Sequence, residues 1–150
     1  MFWTISLIKL KIFISSDHAG FNLKNIIFEN LKKKKYRIMN LGPFNNNSVD
    51  YPVFAKKLAN KVSKNKTSFG VLVCGSGTGM AMAANKVKNI RAAVCYNVKN
   101  TKLSRLHNNA NIITVGSRLI SKNLALKLVN IFLKTKFEGG RHLRRVKKIK

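Results

Sequence analysis

VLVCGSGTG, at residues 71–79, joins a short apolar run to a turn that holds three glycines in five residues. An apolar run of this length before a glycine-rich turn is typical of a buried strand that leads into a helix. Backbone N–H groups can converge in such a turn, and a helix starting after it directs its positive end to the same point. A thiolate at Cys74 would be stabilised there, which favours a functional cysteine. The alternative from this segment alone is a small buried residue before a tight turn.

Strand-like and helix-like segments alternate on both sides of this turn. The hydrophobic pattern predicts strands at 7–15, 36–41, 69–74, 92–95 and 111–115, and helices at 21–33, 52–63, 78–86, 98–106, 121–133 and 141–150. Strands separated by helices at this spacing predict one α/β domain over residues 1–150, with a five-stranded parallel sheet covered on both faces. Residues 1–8 are interpreted as an N-terminal extension of uncertain role.

The two cysteines, Cys74 and Cys95, belong to no CxxC pair, and with three histidines they match neither a disulfide framework nor a zinc finger. We therefore expect a reducing, cytoplasmic location. The sequence contains no apolar run of about 18 residues, so no membrane span is predicted.

The formal net charge is +26, from 30 lysines and arginines against four acids. Only seven of the basic residues are arginine, and the lysines are scattered, which favours compositional bias over a dedicated nucleic-acid surface. We expect non-specific attraction of nucleic acid at low salt and nothing more.

Three of the four acids lie next to other polar or glycine-rich motifs, and these are Asp17, Asp50 and Glu138. The fourth, Glu29, lies on an ordinary helical face.

Ligands of open parallel sheets bind outside the carboxyl ends of the strands. Asp17 and His18 follow the first predicted strand, residues 74–79 follow the third, and Arg118 follows the fifth. His107 and Asn108 precede a strand instead. If they contribute to the same site, they reach it from another chain.

Several ordered motifs between residues 11 and 146 resemble the type B ribose-5-phosphate isomerases, whose superfamily includes galactose-6-phosphate and allose-6-phosphate isomerases. These motifs are SDHAGF at 16–21, DYP at 50–52, CGSGTG at 74–79 with AANK at 83–86, IRA at 90–92, HN at 107–108, GSR at 116–118 and EGGRH at 138–142. The resemblance implies a Rossmann-like three-layer α/β/α sandwich, a dimer or tetramer with active sites at a subunit interface, and no metal or nucleotide cofactor. Two departures stand out: Asn109 occupies a position where the family often has an acid, and Ser76 one where threonine is also common.

The resemblance also implies a reaction, the interconversion of D-ribose 5-phosphate and D-ribulose 5-phosphate through an enediolate, a step of the pentose phosphate pathway. The implied catalytic residues are Cys74, the base at C2; His107, which opens the furanose ring; and Ser76, which with the N–H groups of Gly75, Gly77, Thr78 and Gly79 stabilises the oxyanion. The implied substrate-binding residues are Asp17 and Asn108 for the sugar, and His18, Arg118, Arg141 and Arg145 for the phosphate.

Two other functions remain open at this point. The first is the same chemistry on allose 6-phosphate or galactose 6-phosphate, because one additional CHOH unit is discriminated by pocket shape. The second is a non-catalytic basic protein that binds RNA or a sugar phosphate. Dinucleotide binding is disfavoured, because the turn has the spacing GxGxG rather than GxGxxG and no acid follows about 20 residues later.

Overall fold

The computed structural model describes residues 10–150, which form five strands and six helices. The strands are β1 (Lys11–Ser16), β2 (Arg37–Asn40), β3 (Ser68–Cys74), β4 (Ala92–Val94) and β5 (Ile112–Gly116). The helices are α1 (Phe21–Lys33), α2 (Tyr51–Ser63), α3 (Thr78–Ala84), α4 (Val98–Leu106), α5 (Lys122–Lys134) and α6 (Arg141–Val146). Within residues 10–150, no helix is long and apolar enough to cross a bilayer.

The strands form one parallel sheet in the order β2-β1-β3-β5-β4. The chain proceeds from β1 to one side of the sheet and from β3 to the other, so the strand order reverses between β1 and β3. In open parallel sheets such a reversal is the place where ligands bind, beyond the carboxyl ends of the strands. The predicted α/β fold with a five-stranded parallel sheet is confirmed.

Helices cover the sheet on both faces because the central strands are apolar on both. One core cluster includes Ile27 of α1 and Phe132 of α5, both fully buried. The other includes Leu58 of α2 and Met80 of α3, also fully buried. Each such side chain contributes about 1.5–3 kcal/mol through burial, which holds the loops at the strand ends in fixed positions.

Most predicted boundaries agree with the structure within two residues, and two helices that end earlier than predicted have local causes. The helix predicted at 78–86 ends at Ala84, because the Asn85 side chain bonds both the N–H and the carbonyl of Ala92. The helix predicted at 141–150 ends at Val146, where the N–H groups of Lys148 and Ile149 turn to carbonyls three residues back. Among the described residues, the first strand runs from Lys11 to Ser16; residues 7–9 of the strand predicted at 7–15, like the extension at 1–8, lie outside the described residues.

Candidate active site

Hydrogen bonds join the loops that follow β1, β3 and β5 at the carboxyl edge of the sheet. The N–H of Asp17 donates to the carbonyl of Val73 at 3.2 Å, and the N–H of Ser117 donates to the carbonyl of Cys74 at 2.8 Å. The Ser117 hydroxyl donates to the carbonyl of Ala19 at 2.9 Å. The three loops therefore form one connected surface around the end of β3.

Cys74 is the last residue of β3, and its thiol lies inside the glycine-rich turn. The side chain is almost buried, and its Sγ accepts a hydrogen bond from the N–H of Gly77 at 3.0 Å. Gly77 has a φ of +78°, a conformation that glycine adopts without strain. This geometry turns a backbone dipole toward the sulfur, which stabilises negative charge on it.

The other cysteine has a different environment. Cys95 is fully buried, and burial raises the pKa of its thiol, against smaller lowering effects of hydrogen bonds with Thr101 and Ser104. A buried thiol of this kind is inert. The thiol of Cys74 is therefore the one placed to react.

Two glycines let the loops approach closely. A methyl group at Gly20 would overlap the carbonyl oxygen of Val73, so only glycine lets the β1 loop contact β3. A Cβ at Gly79 would come within 2.7 Å of the Tyr51 ring, which therefore packs directly against the glycine-rich turn. Tyr51 begins α2 and is half-exposed at this edge.

Polar side chains surround the turn that holds Cys74. The carboxylate of Asp17 is buried and accepts from the N–H of Gly20 at 2.9 Å. His18 is exposed, and its Nδ1 accepts from the N–H of Val49 at 3.2 Å, so the proton of a neutral imidazole is on Nε2.

The Arg118 guanidinium lies above Gly75, and its nitrogen Nη1 is 3.1 Å from the position that a Cβ would take there. Ser76 and Thr78 are exposed, and the Thr78 N–H donates to the Ser76 hydroxyl at 3.2 Å.

The remaining predicted residues lie at the opposite edge. His107 and Asn108 follow α4 and come ahead of β5, whereas Cys74 is the last residue of β3. The five residues of β5 span about 16 Å at roughly 3.3 Å per residue. One sugar phosphate is too short for its reacting carbons to contact both edges of a single copy.

A second cluster surrounds His107 at this amino edge. The imidazole rings of His107 and His142 stack, with centroids 4.1 Å apart and an angle of 11° between their planes. The Glu138 carboxylate faces both rings, with Oε2 3.8 Å from His107 Nε2 and Oε1 3.9 Å from His142 Nε2. A cavity of about 380 Å³ opens here, and Asn108 and Arg145 also line it. Arg141 starts α6 one turn before Arg145, and both are exposed.

Burial and positive neighbours affect His142. Burial lowers its pKa most, followed by the charges of His107, Arg141 and Arg145, while Glu138 raises it. Two histidines and a carboxylate within 4.8 Å are also a set of donors suited to a metal ion. A ligated imidazole keeps the ion close to its ring plane, however, and two stacked, nearly parallel rings cannot share one ion unless one of them turns away.

The structure thus divides the predicted site residues into two groups. At the carboxyl edge lie Asp17, His18, Cys74, Gly75, Ser76, Gly77, Thr78, Gly79 and Arg118; at the amino edge lie His107, Asn108, Arg141 and Arg145. Sequence reasoning assigned no role to Tyr51, Glu138 or His142, which contact these groups. The signal for all three was present, since Tyr51 lies in the DYP motif and the other two in EGGRH.

The model of the ribose/galactose isomerase family matches residues 12–149. The chain belongs to this family. It is 38% identical over 139 residues to ribose-5-phosphate isomerase B of Escherichia coli, covering 93% of each protein. The solved ribose-5-phosphate isomerase B of Clostridium thermocellum has a TM-score of 0.91 at 48% identity, covering 93% of this chain and 94% of that one. The crystal structure of ribose-5-phosphate isomerase B from Mycoplasma genitalium with bound ribulose 5-phosphate has a TM-score of 0.92 at 46% identity, with 95% of each chain covered.

Proposed function

We propose that this member of the isomerase family interconverts D-ribose 5-phosphate and D-ribulose 5-phosphate. The observation that carries the proposal is the Cys74 thiol at the end of β3, which accepts the Gly77 N–H inside the glycine-rich turn. The similarity over nearly the whole chain to an isomerase with bound ribulose 5-phosphate supports the choice of substrate.

Cys74 acts as the general base. Its thiolate takes the proton from C2 of the open-chain aldose, the C–H electron pair forms the C1–C2 double bond, and the electrons of the C1 carbonyl move to its oxygen, which gives the enediolate. The proton of the C2 hydroxyl moves to the oxygen on C1, the carbonyl forms again at C2, and the electrons of the C1–C2 double bond take the proton back from the thiol at C1. The N–H groups of residues 75–79 and the Ser76 hydroxyl stabilise the oxyanion, and one well-placed donor of this kind contributes roughly 3–4 kcal/mol.

The polar side chains of both edges hold the substrate. Asp17 orients sugar hydroxyls from the carboxyl edge, and Asn108 does so from the amino edge. His18 donates through Nε2 to the phosphate, because its Nδ1 is occupied by the Val49 N–H. Three arginines complete the phosphate contacts, since guanidinium groups bind phosphate with paired N–H donors; they are Arg118, Arg141 and Arg145.

A complete site requires two copies of the chain. His107 opens the furanose ring, yet it lies at the edge opposite to Cys74, about one strand length away. In a closed symmetric dimer, the amino edge of one copy can face the carboxyl edge of the other, and the symmetry makes two equivalent sites. We therefore propose a homo-oligomer whose sites combine Cys74 of one copy with His107 of another.

The test is isomerisation of D-ribose 5-phosphate by the purified protein with a chelator present. Cys74→Ala should reduce kcat by 100-fold or more, the usual range for the loss of a general base. Cys95→Ala is the matched control, because it removes the other thiol and should leave kcat within about twofold. A folded wild-type protein without turnover, or a Cys74→Ala variant with full turnover, would overturn the proposal.

The family description also includes galactose, so a six-carbon substrate is the second candidate. The same assay with D-ribose 5-phosphate, D-allose 6-phosphate and D-galactose 6-phosphate decides between them. We expect the highest kcat/KM with the pentose, and a higher value with either hexose phosphate would replace it as the substrate.

A further inference from the structure

Glu138 has an unusual position for an acid in this protein. The chain has four acidic residues against 30 basic ones, and this one faces the edges of two stacked imidazoles. Its two carboxylate oxygens are divided between them, one 3.8 Å from His107 Nε2 and the other 3.9 Å from His142 Nε2. The reaction steps assigned above make no use of this carboxylate.

The backbone fixes this arrangement. The N–H of Glu138 donates to the carbonyl of Leu106 at 3.1 Å, which ties the acid to the residue before His107. Gly139 and Gly140 follow with φ of +72° and +56°, and this left-handed turn starts α6 so that His142 lies over His107. Neither glycine has an atom within 4 Å of a Cβ position, so the glycines serve the turn and not close packing.

Every other charged group around the two rings is positive or can become so. Arg141 and Arg145 of α6 lower the pKa of His142, and so does the imidazole of His107. His142 Nε2 is buried without a hydrogen-bond partner in the described part of the chain, and the Glu138 carboxylate lies 3.9 Å from it. Glu138 thus raises the pKa of His142, against burial and the two arginines of α6.

Opening a furanose requires a proton at the ring oxygen. The bond between C1 and the ring oxygen breaks with its electron pair going to that oxygen, which takes the proton, while the C1 hydroxyl loses its proton to solvent and becomes the aldehyde. A histidine that performs this step must be protonated when it contacts the sugar.

We propose that Glu138, together with the stacked ring of His142, is a positioning residue that fixes the orientation of His107 for opening the sugar ring. The proposal rests on the proposed function, in which His107 is the ring-opening residue. It assigns a role to the carboxylate and to the second imidazole, and it explains why an acid is present in a strongly basic segment.

The experiment compares Glu138→Gln, Glu138→Asp and Glu29→Gln in two assays. The first is conversion of D-ribose 5-phosphate, which is mainly a furanose in solution. The second is exchange of a C1 hydrogen of D-ribulose 5-phosphate with D₂O, followed by NMR; this ketose is open-chain, so the exchange needs Cys74 and the enediolate but no ring opening. The Glu138 side chain is 56% exposed, so its amide variant should fold, and Glu29→Gln removes the same charge from an exposed helical position.

We expect Glu138→Gln to lower kcat for ribose 5-phosphate about tenfold while C1 exchange stays within about twofold of wild type. Glu138→Asp should restore part of the activity, and Glu29→Gln should match wild type.

Equal loss of conversion and exchange in Glu138→Gln would indicate a merely structural role and overturn the proposal. So would full conversion of D-ribose 5-phosphate by Glu138→Gln. Failure of the proposed function looks different, since the wild-type protein would then show neither conversion nor exchange.

Discussion

The two edges of the sheet carry two halves of the proposed site, and they are built differently. At the carboxyl edge, backbone hydrogen bonds and glycines join three loops, and the thiol of Cys74 accepts a backbone N–H. At the amino edge, side chains dominate: two stacked imidazoles, one carboxylate and two arginines surround the end of α4. The fixed backbone geometry of the carboxyl edge suits the removal of a proton from carbon. The charged side chains of the amino edge suit proton transfer to oxygen and binding of the phosphate dianion.

The difference leads to separate expectations for the two edges. Substitutions at the carboxyl edge should act through the folded structure, because the backbone itself forms the site. Substitutions at the amino edge should act through charge and pH. The predictions below test this division.

The largest expected effect comes from mixing two inactive variants. Cys74→Ala and His107→Ala each remove one half of every site, and each should have less than about 1% of wild-type activity. In a dimer that shares sites, a mixed pair contains one intact site, so random exchange of subunits should restore about a quarter of wild-type activity. The measurement is activity after co-refolding equal amounts of both variants. Activity that stays at the sum of the separate variants would place both residues in one copy.

The second prediction concerns stability at the two edges. Gly20→Ala puts a methyl group into the carbonyl of Val73 and should lower the free energy of unfolding by about 3 kcal/mol or more, since backbone must move. Gly139→Ala is the matched variant at the amino edge, where a Cβ meets open space and only the positive φ is unfavourable, at about 1–2 kcal/mol. Urea titrations of both variants check the order. Equal losses would mean that the close contact at Gly20 relaxes without cost.

The carboxyl edge could be predicted from sequence because each of its residues follows its own strand. Asp17, Cys74 and Arg118 lie at or within two residues of the carboxyl ends of β1, β3 and β5, and parallel strands bring these ends together whatever the side chains do. Local pattern and topology are sufficient for such a group. The side-chain roles at this edge remain predictions.

The amino edge could be predicted only in part. The position of His107 before a strand indicated that it belongs to the other edge, but its stack on His142 joins residues 35 positions apart through a turn of two left-handed glycines. The packing of Tyr51 against Gly79 likewise joins residues that are distant in sequence, since it depends on how α2 lies across the sheet. Contacts of this kind come from tertiary packing, which periodicity does not encode.

The third prediction concerns Asn109, at a position where the resembled family often has an acid. Its Oδ1 accepts from Arg105 at 3.0 Å, and its carbonyl accepts from Arg91 at 2.9 Å. Burial lowers the pKa of Arg105 to about 10, with Arg91 contributing. Asn109→Asp supplies the missing negative charge and should raise the free energy of unfolding by about 1–2 kcal/mol, and aspartate tolerates the left-handed φ of +48°.

Asn46→Asp is the control for Asn109→Asp, because it makes the same change in net charge at an exposed loop position. The gain at position 109 should be lost as the pH falls below about 4, since the new carboxyl is ionised only above that range. Urea titrations at pH 7 and pH 3.5 check both statements. Equal gains at positions 46 and 109 would attribute the effect to reduced self-repulsion of the chain rather than to the buried arginines.

The smallest expected effect concerns Lys24, which supports the carboxyl edge. This fully buried lysine donates to Asn40 and to the carbonyl of Pro43, at the start of the loop whose Val49 fixes His18. Burial lowers its pKa from 10.5 to about 8. Between pH 8 and pH 10.5 the unfolded chain therefore holds a proton that the folded chain has released, so this group makes stability rise with pH across that window.

Lys24→Met removes the titrating group and keeps most of the side-chain volume. The free energy of unfolding of wild type, minus that of the variant, should increase from pH 8 to pH 10.5, and Lys33→Met at the exposed end of α1 should show no such trend. Urea titrations at half-unit pH intervals give the difference curve. A flat difference curve for Lys24→Met would mean that the Lys24 ammonium has the same pKa in the folded and the unfolded chain. Burial of this lysine beneath the carboxyl edge would then have no cost in proton affinity, contrary to the prediction.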